Sequence, residues 1–128
     1  MAPSLSFAEK ELVAISMKYI LIPADAEYPI ALIDKKGDSL DILQAAVAGL
    51  IQAAPQNDDS LTVWCNEEGK NDGLPLNERA TKLWTELWGG EIDDVIVGDV
   101  AITGGGDRNG KTKNISVKWA NALLSRNK

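Results

Sequence analysis

Residues 38–55 read Asp-Ser-Leu-Asp-Ile-Leu-Gln-Ala-Ala-Val-Ala-Gly-Leu-Ile-Gln-Ala-Ala-Pro, and the way this stretch divides decides the fold. Asp38-Ser39 is a helix start signal, because a short side-chain oxygen accepts from backbone N–H groups that lack an intrahelical partner. Asp41 in the first turn favours the positive end of the helix dipole. Leu40, Leu43, Ala46 and Val47 recur at helical spacing. Gly49 admits two readings. As a mid-helix residue it costs about 1 kcal/mol relative to alanine. As the left-handed residue that closes a helix it ends the element at Ala48 and leaves Leu50 to Ala54 as a strand. The second reading is the better one, and it makes the chain an α+β protein.

Strand signals flank this helix. Tyr19 to Ile22 is a short β-rich run stopped by Pro23, and Ile30 to Ile33 is a second. Asp25, Ala26, Glu27 and Tyr28 connect them as a hairpin, with Pro29 at the strand start, where its missing N–H is tolerated. Downstream, the turn-rich residues 55–60 lead into Leu61 to Cys65, which completes a hairpin with Leu50 to Ala54. The clearest helix runs from Leu76 to Trp88. Leu76, Ala80, Leu83, Trp84, Leu87 and Trp88 fall on one face, Glu78 stands four residues before Lys82 as a favourable pair, Pro75 suits the entry and Gly89-Gly90 the exit.

Val95 to Thr103 is β-rich, with Gly98-Asp99 as a bend. A glycine-rich loop and a helix from Ser116 to Ser125 follow. At the other end, Ser6 to Ile15 reads as a helix with a Ser6/Glu9 capping box. Met17 begins a fresh start, which makes residues 1–16 an N-terminal arm and 17–128 one domain. The order is (α)ββαββαβα. No dinucleotide fingerprint appears, so the expected fold is α+β, a mixed or mainly antiparallel sheet with helices packed on one face.

Composition narrows the chemistry. The chain has 128 residues, one cysteine (Cys65) and no histidine. That excludes Cys/His zinc sites and His-based nucleophilic catalysis within one chain. No apolar stretch approaches the length of a membrane span, and the start lacks a basic secretory region, so the expectation is a cytoplasmic protein. Charge is uneven: residues 1–100 carry 18 acids against 7 bases, while 101–128 carry Asp107 against 6 bases. An acidic body with a basic tail permits self-association and argues against binding to duplex nucleic acid.

Three motifs compete for function. Gly105-Gly106-Asp107-Arg108-Asn109-Gly110-Lys111-Thr112 matches the phosphate-loop pattern. Such a loop cradles phosphate only if a helix begins at its Gly-Lys-Thr, and the first good cap, Ser116, comes too late. A hairpin loop is the better reading. Asn66-Glu67-Glu68-Gly69-Lys70 puts adjacent carboxylates at a strand end, a cation or acid–base candidate against a plain turn. Trp64, Trp84, Trp88 and Trp119 supply most of the aromatic content. Trp84 and Trp88 read as core, while Trp119, on a short terminal helix, is a candidate interface anchor.

Several stretches together carry a resemblance: Met17-Lys18-Tyr19-Ile20-Leu21-Ile22-Pro23, Gly49-Leu50-Ile51-Gln52-Ala53-Ala54-Pro55, Asn66-Glu67-Glu68-Gly69-Lys70, Leu74-Pro75-Leu76-Asn77-Glu78-Arg79-Ala80-Thr81 and Val97-Gly98-Asp99-Val100. They resemble a domain-of-unknown-function family of small actinobacteriophage and Gram-positive mobile-element proteins, from Met17 to about Thr103 and weakly into the last helix. The resemblance implies a phage or prophage origin. It brings no activity, cofactor or site.

The expected function is therefore a non-catalytic accessory module, without cofactor, that binds a host or phage protein or itself. The expected patch combines Asn66, Glu67, Glu68, Asn77 and Arg79, since the strand end and the helix start should lie close together. The bland alternative has Asn66 and Asn77 holding the connecting loop by side-chain-to-backbone bonds. A competing function is an anti-defence protein, either a nucleotide-signal sponge or a DNA mimic built on Asp58, Asp59, Glu67, Glu68, Asp93, Asp94 and Asp99.

Overall fold

The computed structural model describes residues 16–106 and 111–127. Five strands and three helices follow in the order β1 (Ser16–Ile22), β2 (Ala31–Lys36), α1 (Ser39–Val47), β3 (Ile51–Ala53), β4 (Leu61–Asn66), α2 (Glu78–Trp88), β5 (Val100–Gly104) and α3 (Val117–Leu124). A 3-10 turn, Ser125–Asn127, ends the described chain. The expected helix over Ser6 to Ile15 lies outside the described residues. The sheet has the order β2-β1-β5-β4-β3 and every pairing in it is antiparallel. The fold is α+β, as the helix–strand division of residues 38–55 requires.

The helices do not share one face. Successive strand residues point to opposite sides, and here both sides are apolar. Ile20, Ile22, Leu61, Val63, Val100 and Ile102 point one way, onto α2 and α3 through Leu83, Trp84, Ala120 and Leu123. Met17, Tyr19 and Ala101 point the other way, onto α1 through Ile42, Leu43 and Val47. The central strands β1 and β5 are apolar at consecutive positions, which is the signature of a strand buried on both sides. Burial also raises the Tyr19 hydroxyl above its ordinary pKa.

The junction after α1 differs in one detail that matters. Asp38 caps the helix, its carboxylate accepting from Asp41 N–H at 3.2 Å. The left-handed residue at the other end is Ala48, at φ 61° and ψ 38°, and not Gly49. Gly49 serves close approach instead, because a Cβ there would stand 2.6 Å from Asn66 Nδ2.

At α2 the helix begins after Asn77, so Leu76 precedes it, pairs with Val97 as a bridge and is 44% exposed. Trp84 is buried at 6%, but Trp88 is 41% exposed and belongs to the surface rather than the core. The ion pairs among the described residues are Lys70–Asp94 and Arg126–Glu86, so Glu78 and Lys82 form none.

The glycine-rich stretch closes as a hairpin. Gly106 pairs with Thr112, Gly104 N–H donates to Lys113 C=O at 2.9 Å, and α3 starts only at Val117. Ser116 caps it by accepting from Trp119 N–H. No helix opens at Lys111-Thr112. Residues 107–110 lie outside the described part.

Candidate functional site

The five residues expected to form a patch separate into two groups, and most face inward. Asn66, 8% exposed, ends β4. Its Nδ2 donates to the carbonyls of Val47 (3.1 Å) and Ala48 (3.3 Å). These belong to the last turn of α1, where carbonyls lack intrahelical partners. Its Oδ1 accepts from Glu68 N–H at 2.8 Å.

Asn77 is wholly buried and caps α2, with Oδ1 accepting from Ala80 N–H at 3.0 Å. Its Nδ2 donates to Ile22 C=O (2.8 Å) and Gly98 C=O (2.9 Å), which joins the end of β1 to the bend before β5. Gly98 sits at φ 78°, a conformation that glycine takes without steric cost.

Arg79 Nη2 donates to the carbonyls of Pro23 (2.7 Å), Tyr28 (2.8 Å) and Asp25 (3.2 Å), closing the β1–β2 connection. Only Glu67 and Glu68 are exposed, and Glu68 accepts from Asn71 Nδ2 at 2.9 Å. No hydrogen bond joins the Asn66–Glu68 group to the Asn77–Arg79 group. The side-chain-to-backbone reading describes Asn66, Asn77 and Arg79.

A different region is concave. A cleft of about 310 Å³ opens beside β3, lined by Gln52, Ala54, Cys65, Lys70, Trp84 and Asp94 among others. A neighbouring hollow of about 280 Å³ is lined by Pro55, Trp84, Trp88, Glu91, Ile92 and Asp93. The two share Pro55 and Trp84, so they form one groove. Its floor is fixed: the Trp84 indole N–H donates to Pro55 C=O, and Asn57 Nδ2 donates to Trp88 C=O at 2.8 Å. Around the rim stand four carboxylates, Glu67, Glu91, Asp93 and Asp94, against one ammonium, Lys70. Lys70 is paired with Asp94, whose carboxyl is held below the usual range by that bond and by Val95 N–H. The carboxylates of Glu67, Glu91 and Asp93 have no hydrogen-bond or ion-pair partner among the described residues.

Cys65 lies in this cleft, and burial pushes its thiol above the ordinary value, with Lys70 lowering it and Asp94 raising it. A raised pKa disfavours the thiolate, the form that acts as nucleophile. Among the described residues no three acidic or thiol groups converge as a metal site.

The groove runs along an open sheet edge. Ala54 N–H donates to Val63 C=O (2.9 Å) and Glu67 N–H to Leu50 C=O (2.8 Å). Facing residues of an antiparallel pair alternate between bonded and non-bonded. Ile51 and Ala53 therefore turn their N–H and C=O groups to the free side of β3, where they have no partner among the described residues. Sequence reading named Glu67, Asp93 and Asp94 as surface acids but missed the groove and the open edge. The signal was Glu91-Ile92-Asp93-Asp94, an acidic stretch holding one apolar residue, placed after the Gly-Gly exit of a helix that ends on a tryptophan.

No helix among the described residues is long and apolar enough to cross a membrane. No curated protein and no solved structure matches the chain. A family match does exist, and it runs from Met17 through the glycine-rich stretch after Thr103, which the resemblance had left outside the pattern. Over residues 17–126 the chain matches the domain of unknown function DUF3846, and it belongs to that family.

Proposed function

We propose that the protein is a non-catalytic binding module that takes an extended segment of a partner polypeptide along the free edge of β3. One observation carries this reading: two residues of outward N–H and C=O groups belong to the strand whose Gln52 lines the groove between β3 and Trp84. Strand addition draws affinity from main-chain hydrogen bonds and specificity from pockets for alternate side chains. The groove supplies those pockets on the face that Gln52 and Ala54 share with Cys65.

The other sheet edge is less suited. β2 ends in Asp34-Lys35-Lys36, charges of the kind that discourage strand addition. At its start both the N–H and the C=O of Ile30 are engaged at 2.8 Å by the Asn127 side chain. A non-catalytic role is supported by the chemistry of the groove, whose one thiol donates to Gln52 C=O and whose one ammonium is paired. The phage or mobile-element setting, with a host or phage protein as partner, rests on the sequence resemblance alone.

A DNA mimic draws less support. Of its seven acids, Asp58 accepts from Ser60, Asp94 pairs with Lys70, Glu68 accepts from Asn71 and Asp99 accepts from Ala24 N–H at 2.9 Å. Carboxylates tied into local bonds do not form a free row spaced like phosphates.

The test is fluorescence polarisation with a labelled pool of randomised ten-residue peptides, using wild type and Ala53→Pro. Proline at 53 removes only an outward N–H, so the protein should keep its stability within about 1 kcal/mol. Saturable binding by wild type that Ala53→Pro loses, with its melting temperature retained, supports strand addition. Equal binding by both, or none by wild type, contradicts it.

A further inference from the structure

We infer that the hollow between Trp84 and Trp88 reads a cationic side chain, lysine or arginine, carried by the bound segment. This rests on the strand-addition reading and names what gives it specificity. The lining of the hollow is almost wholly apolar, from Pro55, Trp84, Trp88 and Ile92, with the exposed Glu91 and Asp93 at its rim. At about 280 Å³ it is at the small end of ligand sites and suits a side chain rather than a larger molecule.

Three features select the occupant. First, the indole face of a tryptophan attracts a cation, worth about 0.5–2 kcal/mol as the site loses water. Trp84 is locked by its bond to Pro55, so its ring is in place before anything binds, and Trp88, 41% exposed, is accessible to an occupant. Second, Glu91 and Asp93 carry no partner among the described residues, and no basic residue lines the hollow. A basic occupant would meet these two carboxylates at the rim, and an acidic one would be repelled. Third, lysine and arginine have long apolar stems ahead of the charge. The stem lies against Ile92 and Pro55 while the head reaches the carboxylates at the rim.

The neighbouring acids reinforce the choice. Asp94 is neutralised by Lys70, so the cleft next to β3 keeps one unpaired carboxylate, Glu67, while the hollow has two, Glu91 and Asp93. The basic preference of the bound segment is thus expected to be strongest where it passes Trp88.

The experiment uses the full chain and three peptide pools, randomised except for one fixed central residue: arginine or lysine, glutamate, or the uncharged norleucine. Binding is measured for wild type, Trp88→Ala, Glu91→Gln/Asp93→Asn and Ala53→Pro. Wild type should favour the basic pool by about tenfold over norleucine, and more over glutamate, with the preference shrinking as salt rises. Glu91→Gln/Asp93→Asn should bind the norleucine pool like wild type and lose the preference. Trp88→Ala should weaken the basic pool most.

Wild-type binding without a basic preference, or a preference that survives the double substitution, overturns the cation site and leaves strand addition standing. Binding that Ala53→Pro retains overturns strand addition itself. A wild-type dimer in sedimentation that Glu91→Gln/Asp93→Asn dissociates would make a second copy of this chain the occupant and overturn the partner segment.

Discussion

The start of α2 and the edge at β3 both carry polar groups and use them in opposite ways. Around α2, Asn77 and Arg79 are full of carbonyls: five backbone oxygens from the β1 end, the β1–β2 connection and Gly98 accept from them. At β3, backbone groups of Ile51 and Ala53 and the carboxylates of Glu67, Glu91 and Asp93 have no partner among the described residues. Only the first announces itself in the sequence, through Asn77 and Arg79. One holds the fold together and the other is free to meet something. A polar residue marks a binding surface only when the chain leaves its hydrogen bonds unmet.

If the α2 end is structural, breaking it should cost the most. Asn77→Ala leaves two buried carbonyls and the Ala80 N–H without partners, and each orphaned group costs about 1–3 kcal/mol. Urea unfolding should show a loss of about 3 kcal/mol or more, with strand addition unchanged in whatever remains folded. A loss under about 1 kcal/mol would mean that Asn77 is not the clamp its bonds describe.

The junction after α1 gives a paired test of opposite signs. Gly49→Ala drives a Cβ to 2.6 Å from the Asn66 amide, which its own bonds to Val47 and Ala48 hold in place. Overpacking of this kind costs about 1–3 kcal/mol. Ala48→Gly should instead stabilise by about 0.5–1 kcal/mol, since a left-handed alanine carries a penalty that glycine does not. Were Gly49 the left-handed residue, Ala48→Gly would destabilise.

The smallest effect belongs to the groove rim. Asp94 has a depressed pKa in the folded chain. Its contribution is present above the unfolded carboxylate pKa and is lost as pH falls through the lower folded value. Both side chains of its pair are about half exposed, at 57% and 48%, so screening leaves about 0.5 kcal/mol or less. Lys70→Ala should flatten that acid limb slightly and leave neutral-pH stability nearly unchanged.

Much of the fold was legible because its signals are local. Asp38, Asn77 and Ser116 sit where helices begin, and a glycine beside the end of α1 separates helix from strand. The side of the sheet each helix takes was not legible from periodicity alone. Consecutive apolar residues such as Val100, Ala101 and Ile102 show that both faces are buried but not which helix covers which. The exchange of roles at Ala48 and Gly49 depends on where Asn66 comes back, seventeen residues further on in the chain. The candidate site was hidden for the same reason. Whether Asn66, Asn77 and Arg79 face solvent or carbonyls depends on long-range approach, and the open edge of β3 exists only because β4 takes its other side.

Amide hydrogen exchange at β3 tests the central claim most directly. In the free protein, Ile51 and Ala53 N–H should exchange fast while Ala54 N–H, bonded to Val63, is protected. On saturation with a peptide from the basic pool, Ile51 and Ala53 should gain protection together, with little change at Asn66 and Asn77. Protection of Ile51 and Ala53 already present in the free chain, or peptide-induced protection confined to residues away from β3, would contradict the account.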